Sequence, residues 1–180
     1  MSGRIIKKGI HKGFQEYIKE ALRKNEDMLL DFNLNKRTEV RYIFIYGSLK
    51  NGHSNNARMR KLKADFVGVA RAEFLEIYYY ETPTAFHKNG ICCAIRTDDE
   101  NQEVYGELWR VINWKSLDKY EGSPFFYKRE KIKVWVNVKG KEELIEVEAY
   151  LFQEENELKR NGEPIFGGCY VEDEWMGPKE

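Results

Sequence analysis

The stretch Tyr42-Ile43-Phe44-Ile45-Tyr46-Gly47-Ser48-Leu49-Lys50-Asn51-Gly52 constrains the fold of this chain more than any other. An unbroken apolar and aromatic run leads straight into a Tyr-Gly-Ser-Leu turn. A run without polar alternation reads as a strand buried on both faces. Gly47 then permits backbone angles that other residues avoid, and it has no side chain to block a ligand. A buried strand that breaks at a glycine can aim several backbone N–H groups at one point, which suits an anion such as a carboxylate. A strand followed by an ordinary turn is the plainer reading of the same residues.

Length and charge narrow the class. The chain has 180 residues, enough for one domain with a sizeable core. Lys plus Arg and Asp plus Glu are both 30, so the formal net charge is zero, and no global basic field points to nucleic acid. The local cluster Arg58, Arg60, Lys61 and Lys63 reads as a solvated helix face. Aromatic residues at 14% argue for a packed globular protein and against disorder. No apolar run approaches the roughly 18 residues that span a bilayer, and the N-terminus lacks the apolar stretch of a signal peptide. No membrane association is expected. Cys92, Cys93 and Cys169 form no disulfide framework and have no metal-ligand spacing, which predicts reduced thiols and a cytoplasmic protein. His11, His53 and His87 add no zinc pattern, so no metal is expected. A Cys-His or Ser-His dyad stays open, because its partners need only be close in space.

Along the chain, Phe14, Tyr17, Ile18, Ala21 and Leu22 fall at helical spacing and predict an amphipathic helix over roughly 12–24. That helix is expected to pack against the domain or against a second subunit. An apolar cluster at Met28, Leu29, Leu30 and Phe32 follows, then a polar linker. Residues 1–40 therefore read as a helical extension, 41–153 as the main domain, and 154–180 as a helical turn and tail packing on it. Ser54 is placed to cap a short helix over 55–62. Strands are predicted over 65–70, 73–80, 91–96, 104–111 and 131–138, with a return strand through Ile145, Val147, Ala149 and Leu151. Thr82-Pro83 breaks the second of these, since proline cannot donate to a ladder. Gly106 inside its strand signals a bulge or a close approach. Asn113 caps a helix over 114–120, and Gly122 suits its left-handed C-terminal cap. Six or seven strands with few crossover helices predict an α+β domain whose mainly antiparallel sheet curls into a small β-barrel.

The second informative stretch is Leu117-Asp118-Lys119-Tyr120-Glu121-Gly122. Leu117 and Tyr120 face the core, and Glu121 shares the side of Leu117 at i+4. A carboxylate thus stands beside the apolar face, at a helix C-terminus where the macrodipole disfavours negative charge. Partial burial and the dipole both raise its pKa, as a group that takes and returns a proton near neutrality requires. The alternative is a surface glutamate that happens to precede a capping glycine. Asp118 reads as an exposed helix residue.

The two stretches together resemble one family. Tyr46-Gly47-Ser48-Leu49, with Lys50-Asn51-Gly52 behind it, resembles the YGSL/YGTL-x-x-G signature of the γ-glutamylcyclotransferase-like superfamily, nearest its γ-glutamylamine cyclotransferase and AIG2-like branch. Further matches arrive in the family's order: Phe66-Val67-Gly68-Val69-Ala70, Thr82-Pro83-Thr84-Ala85, Val104-Tyr105-Gly106-Glu107-Leu108-Trp109, and Leu117 to Gly122 with Tyr127 and Arg129. The resemblance runs over roughly 41–152, with a tail match at Gly167 to Trp175. Residues 1–40 have no counterpart in minimal members, and Tyr78-Tyr79-Tyr80-Glu81-Thr82-Pro83 is unusually aromatic.

The resemblance implies the superfamily's small α+β barrel. It implies that the turn Tyr46, Gly47, Ser48 and Leu49 binds the α-amino and α-carboxylate ends of a γ-glutamyl group, largely through backbone groups. It makes Glu121 the catalytic residue, taking a proton from the α-ammonium so that the amine attacks its own γ-carbonyl and releases 5-oxoproline and a free amine. Ser48 is then a contact, Tyr46 part of the pocket wall, and Tyr127 either a pocket hydrogen bonder or a packed aromatic. No metal, nucleotide or other cofactor is implied, since the nucleophile is already in the substrate. The alternative on the same fold is an inactive module that binds a small carboxylated metabolite or a peptide.

Overall fold

A computed structural model describes residues 41–81, 90–138 and 140–170. The helix predicted near the N-terminus, the Thr82-Pro83 loop and the tail around Trp175 lie outside these residues. Strand β1, Arg41–Ile45, is followed by helix α1, Ala57–Lys61. Then come β2, Asp65–Glu73, β3, Leu75–Tyr80, β4, Ile91–Arg96, and β5, Glu103–Val111. Helix α2, Trp114–Glu121, precedes the long hairpin of β6, Tyr127–Val138, and β7, Lys141–Phe152. Helix α3, Glu155–Asn161, and the short β8, Glu163–Pro164, complete the set.

Five strands close a barrel in the order β1-β5-β2-β6-β7, and β7 returns to β1. The β1–β7 pair is parallel, while the other barrel pairs are antiparallel. The remaining strands make a separate sheet in the order β4-β3-β8. The chain leaves the barrel between β2 and β3 at Phe74, a non-glycine residue with φ 58°. Local sequence does not mark that break, which is why the second strand is expected two residues early.

β1 is buried on both faces, as its composition predicts. Phe44 joins a cluster with Tyr46, Val67, Leu108, Val134 and Val147. Ile43 and Ile45 join a second cluster that also holds Met59, Leu117 and Leu158, the buried residue of each helix. Burying each such side chain contributes about 1.5–3 kcal/mol, so β1 ties barrel and helices together. Gly106 shows why β5 carries a glycine: a Cβ there would lie 2.4 Å from the Ile45 carbonyl oxygen and 2.7 Å from the Phe44 ring.

Three local expectations need correction. Ser54 does not cap α1, which starts at Ala57 with Asn56 at the cap position. The Asn56 amide instead donates to the Leu49 carbonyl at 2.9 Å. Asp118 is not an open surface residue, because the β6–β7 hairpin brings Tyr150 and Arg129 against it. Gly47 is not among the glycines with positive φ. A Cβ at Gly47 would meet Cys92 Cβ at 3.5 Å, ordinary contact, so neither angle nor internal packing requires glycine there. The caps of α2 are as read: Asn113 Oδ1 accepts from Ser116 N–H at 3.2 Å, and Gly122 is left-handed. Among the described residues no helix is long and apolar enough to cross a membrane.

Candidate active site

β1 ends by turning the chain out of the barrel at Tyr46. The Tyr46 hydroxyl donates to the Tyr150 carbonyl at 2.5 Å and accepts from Ala94 N–H at 3.2 Å. One phenol thus joins β7 of the barrel to β4 of the second sheet. Beyond it, Leu49 is buried beside Met59 and Leu117 and anchors the turn by its side chain. Among the described residues the backbone N–H groups of Gly47, Ser48 and Leu49 donate no hydrogen bond. Three successive donors without an internal acceptor are open to an anionic group.

The turn is held from every other side. Both carboxylate oxygens of Glu107 accept from Asn51 N–H, at 3.1 and 2.9 Å, and Glu107 Oε2 also accepts from the Trp109 indole at 2.9 Å. Asn55 binds Ser48 twice, N–H to carbonyl at 3.2 Å and amide to hydroxyl at 3.0 Å. Lys50 is buried and its ammonium donates to the Tyr170 carbonyl at 2.7 Å. Sequence reasoning missed Glu107, Asn55, Asn56 and Lys50 as supports of the turn. The signal for Glu107 was present, a carboxylate directly after a close-approach glycine in an otherwise apolar strand.

Glu121 is the last residue of α2 and is only partly exposed. Among the described residues its carboxyl makes no hydrogen bond or ion pair. Burial pushes its pKa up to about 8, against a weaker opposing pull from the Arg58 guanidinium. An unpartnered carboxyl out of water holds its proton, because ionisation has nothing to replace hydration. The same site affects its neighbours. Burial first, with the charge of Glu121 among the further causes, raises the phenols of Tyr46, Tyr120, Tyr127 and Tyr150. The charge of Glu121 thus reaches Tyr46 at the start of the turn, and the two stretches singled out in the sequence share one electrostatic neighbourhood.

Tyr127 lies against Phe126 and Phe152, with ring centroids at 5.0 and 5.9 Å, and its hydroxyl donates to the Cys92 carbonyl at 3.1 Å. Its phenol, like that of Tyr46, is committed to a protein acceptor. Helix α2 is moored by Asp118, which accepts from the Tyr150 hydroxyl at 2.6 Å and pairs with Arg129 at 3.3 Å. Arg129 also pairs with Glu148 at 3.4 Å and lies 4.5 Å over the Trp114 ring. The position of Glu121 is thus set by contacts one helical turn before it. Among the described residues no group of three or more His, Cys, Asp or Glu could hold a metal ion.

The barrel with its second sheet is a known architecture. A solved structure named gamma-glutamyl cyclotransferase shares it at TM-score 0.51 and 25% identity, over 70% of this chain and 70% of that one. An uncharacterized protein from Homo sapiens matches at TM-score 0.52 and 26% identity, over 71% and 70%. An AIG2-like protein from Mus musculus matches at TM-score 0.53 and 20% identity, over 74% and 90%, which bears on the fold alone. No curated protein matches the sequence. The family "Gamma-glutamyl cyclotransferase, AIG2-like" matches residues 43–172, and the chain belongs to that family. The match runs past the last barrel strand and takes in the segment that receives Lys50.

Proposed function

We propose that the protein is a γ-glutamyl cyclotransferase that converts a γ-glutamyl amide to 5-oxoproline and a free amine. The observation that carries this reading is the desolvated Glu121 carboxyl, with a pKa of about 8 and no hydrogen-bond or ion-pair partner among the described residues, acting electrostatically on Tyr46 where a turn with three open N–H donors begins. Raising the Glu121 pKa toward the amine range narrows the free-energy gap for proton exchange with the substrate's α-ammonium, as efficient general acid–base work requires.

The substrate's α-carboxylate lies on the N–H groups of the turn. The Glu121 carboxylate takes a proton from the α-ammonium. The freed amine attacks the γ-carbonyl carbon, a new C–N bond closes a five-membered ring, and the carbonyl electrons move onto oxygen. When they return, the original amide C–N bond breaks, and Glu121 gives its proton to the departing nitrogen. The ring nitrogen gives up its second proton, which leaves with the departing amine as an ammonium ion, so protons and electrons balance without an added reactant. Holding the chain folded places nucleophile and carbonyl together, which accounts for much of the rate in intramolecular reactions of this kind. Tyr46 and Tyr127 wall the site, and Ser48 contacts the substrate without attacking it.

The test is a panel of γ-glutamyl compounds assayed for 5-oxoproline, with Glu121→Gln measured in parallel. Turnover of at least one compound by the native protein is expected, together with its loss in the variant. Equal turnover by both proteins would remove Glu121 from the mechanism, and no turnover by the native protein on any compound would remove the activity itself.

A further inference from the structure

We infer that Lys50 is a positioning residue for the substrate turn, and that the segment Ile165–Tyr170 acts through it to aim the Ser48 N–H at the bound carboxylate. The inference rests on the cyclotransferase reading and deepens it.

A trans peptide points its carbonyl and its N–H in opposite directions. The Gly47 carbonyl accepts from Lys50 N–H at 3.1 Å, so the N–H of the same peptide unit, that of Ser48, is directed away from Lys50. The Ser48 carbonyl accepts from Asn55 N–H at 3.2 Å, which turns the Leu49 N–H away from Asn55 in the same manner. The direction of the Ser48 donor therefore depends on where Lys50 stands.

The Lys50 side chain is anchored at its far end. Lys50 is 3% exposed, and its ammonium donates to the Tyr170 carbonyl at 2.7 Å and lies 3.9 Å from Cys169 Sγ. It makes no ion pair with a described residue. An ammonium out of water beside neutral acceptors gives up hydration that an apolar side chain of similar length would not. Core packing alone does not call for a lysine here, whereas a clamp between the turn and Tyr170 does.

The segment that receives the clamp is itself held by other elements. Ile165 N–H donates to the Ile77 carbonyl of the second sheet at 2.9 Å, and Tyr105 N–H of β5 donates to the Gly168 carbonyl at 2.7 Å. Tyr170 is buried in the cluster of Phe44 and Tyr46, with its ring 5.7 Å from that of His53. Gly168 has φ 65°, and a Cβ there would collide with the Glu103 carbonyl oxygen. A side chain at Gly168 thus displaces the segment, and with it the acceptor of Lys50, without touching the turn.

The experiment measures steady-state kinetics and urea unfolding for Lys50→Met, Gly168→Ala and the double variant, on a γ-glutamyl compound that the native protein turns over. Lys50→Met is expected to raise KM about tenfold, the scale of a charge-assisted hydrogen bond, with kcat kept within about twofold. Gly168→Ala should raise KM by a similar factor. A merely structural role gives a different signature, since destabilised protein lowers the active fraction and so lowers kcat at unchanged KM. Because both substitutions break one connection, the double variant should have the KM of the worse single variant, and not the about hundredfold product expected of independent sites. Lys50→Arg, which keeps a charged donor, should fall between the native protein and Lys50→Met. If Lys50→Met does not fold, a raised KM in both Lys50→Arg and Gly168→Ala supports the inference, and an unchanged KM in both overturns it. An unchanged KM in folded Lys50→Met would overturn it, as would a fall in kcat alone or KM effects that multiply, each leaving the cyclotransferase reading intact. Absence of turnover by the native protein across the whole panel would instead overturn that reading, and this inference with it.

Discussion

Two glutamates are withdrawn from water in this domain and differ in what surrounds them. Glu107 is 2% exposed and accepts hydrogen bonds from Asn51 N–H through both oxygens and from the Trp109 indole. Glu121 is also withdrawn from water, yet no described residue bonds its carboxyl. Burial alone does not decide what a carboxylate does. Donors replace the lost hydration at Glu107 and make it a fixture of the turn, whereas no described residue replaces it at Glu121, which keeps its proton to about pH 8. The carboxyl left unsatisfied is the one free to exchange a proton.

Substitutions should separate the two roles. Glu121→Gln keeps the size and removes the titratable group. It should cost about 10²–10⁴-fold in turnover, the range for a lost general acid–base group, with the fold kept. Glu107→Gln should show the reverse emphasis. It replaces an acceptor-only carboxylate by an amide whose N–H faces other donors. A stability loss of about 1–3 kcal/mol is expected, with KM raised more than kcat is lowered. Denaturant unfolding and substrate kinetics on the two variants give the contrast directly, and equal stability losses would erase it.

The stability of the pair should also diverge with pH. The folded pKa of Glu121 is raised above its ordinary 4.5, so the folded state holds the proton between about 4.5 and 8 where the unfolded chain has released it. Native stability contributed by this group therefore falls as pH rises through that window. The thermal midpoint of Glu121→Gln relative to the native protein should accordingly climb from pH 5 to pH 8. Turnover by the native protein should rise with pH toward 8, since Glu121 must be ionised to accept a proton. The smallest effect is expected from Tyr46→Phe. It removes a hydrogen bond to the Tyr150 carbonyl and leaves Ala94 N–H without its acceptor, about 1–2 kcal/mol, read by the same unfolding measurement.

Much of this arrangement was legible in the sequence, and the parts that were not share a cause. The buried strand, the turn after it, the α2 caps and the raised Glu121 follow from residues within a few positions of one another. Glu107 becomes a support only because β1 and β5 pair with Ile45 opposite it, across more than half the domain. Asp118 looked exposed by helical spacing, and it is covered by Tyr150 and Arg129 from the later hairpin. Ser54 looked like a cap, but the amides of Asn55 and Asn56 turn back to the Tyr-Gly-Ser-Leu segment and delay the helix to Ala57. The departure of β3, β4 and β8 into their own sheet depends on Phe74 accepting a left-handed backbone, which its side chain does not advertise. In each case the deciding contact comes from outside the local window.

The parallel closure of the barrel has a consequence for biosynthesis. β1 is the first described strand to leave the ribosome, and its partner β7 is among the last. Ile43 and Phe44 meet Glu148 and Ala149, and Tyr46 finds its acceptor 104 residues downstream. Until that hairpin is translated, the nascent chain carries an apolar strand with one open edge, the feature that invites pairing with other chains. A product truncated before residue 141 would lack β7 entirely and keep that edge. For this protein, incomplete synthesis is thus expected to yield an aggregating species and not merely an inactive one.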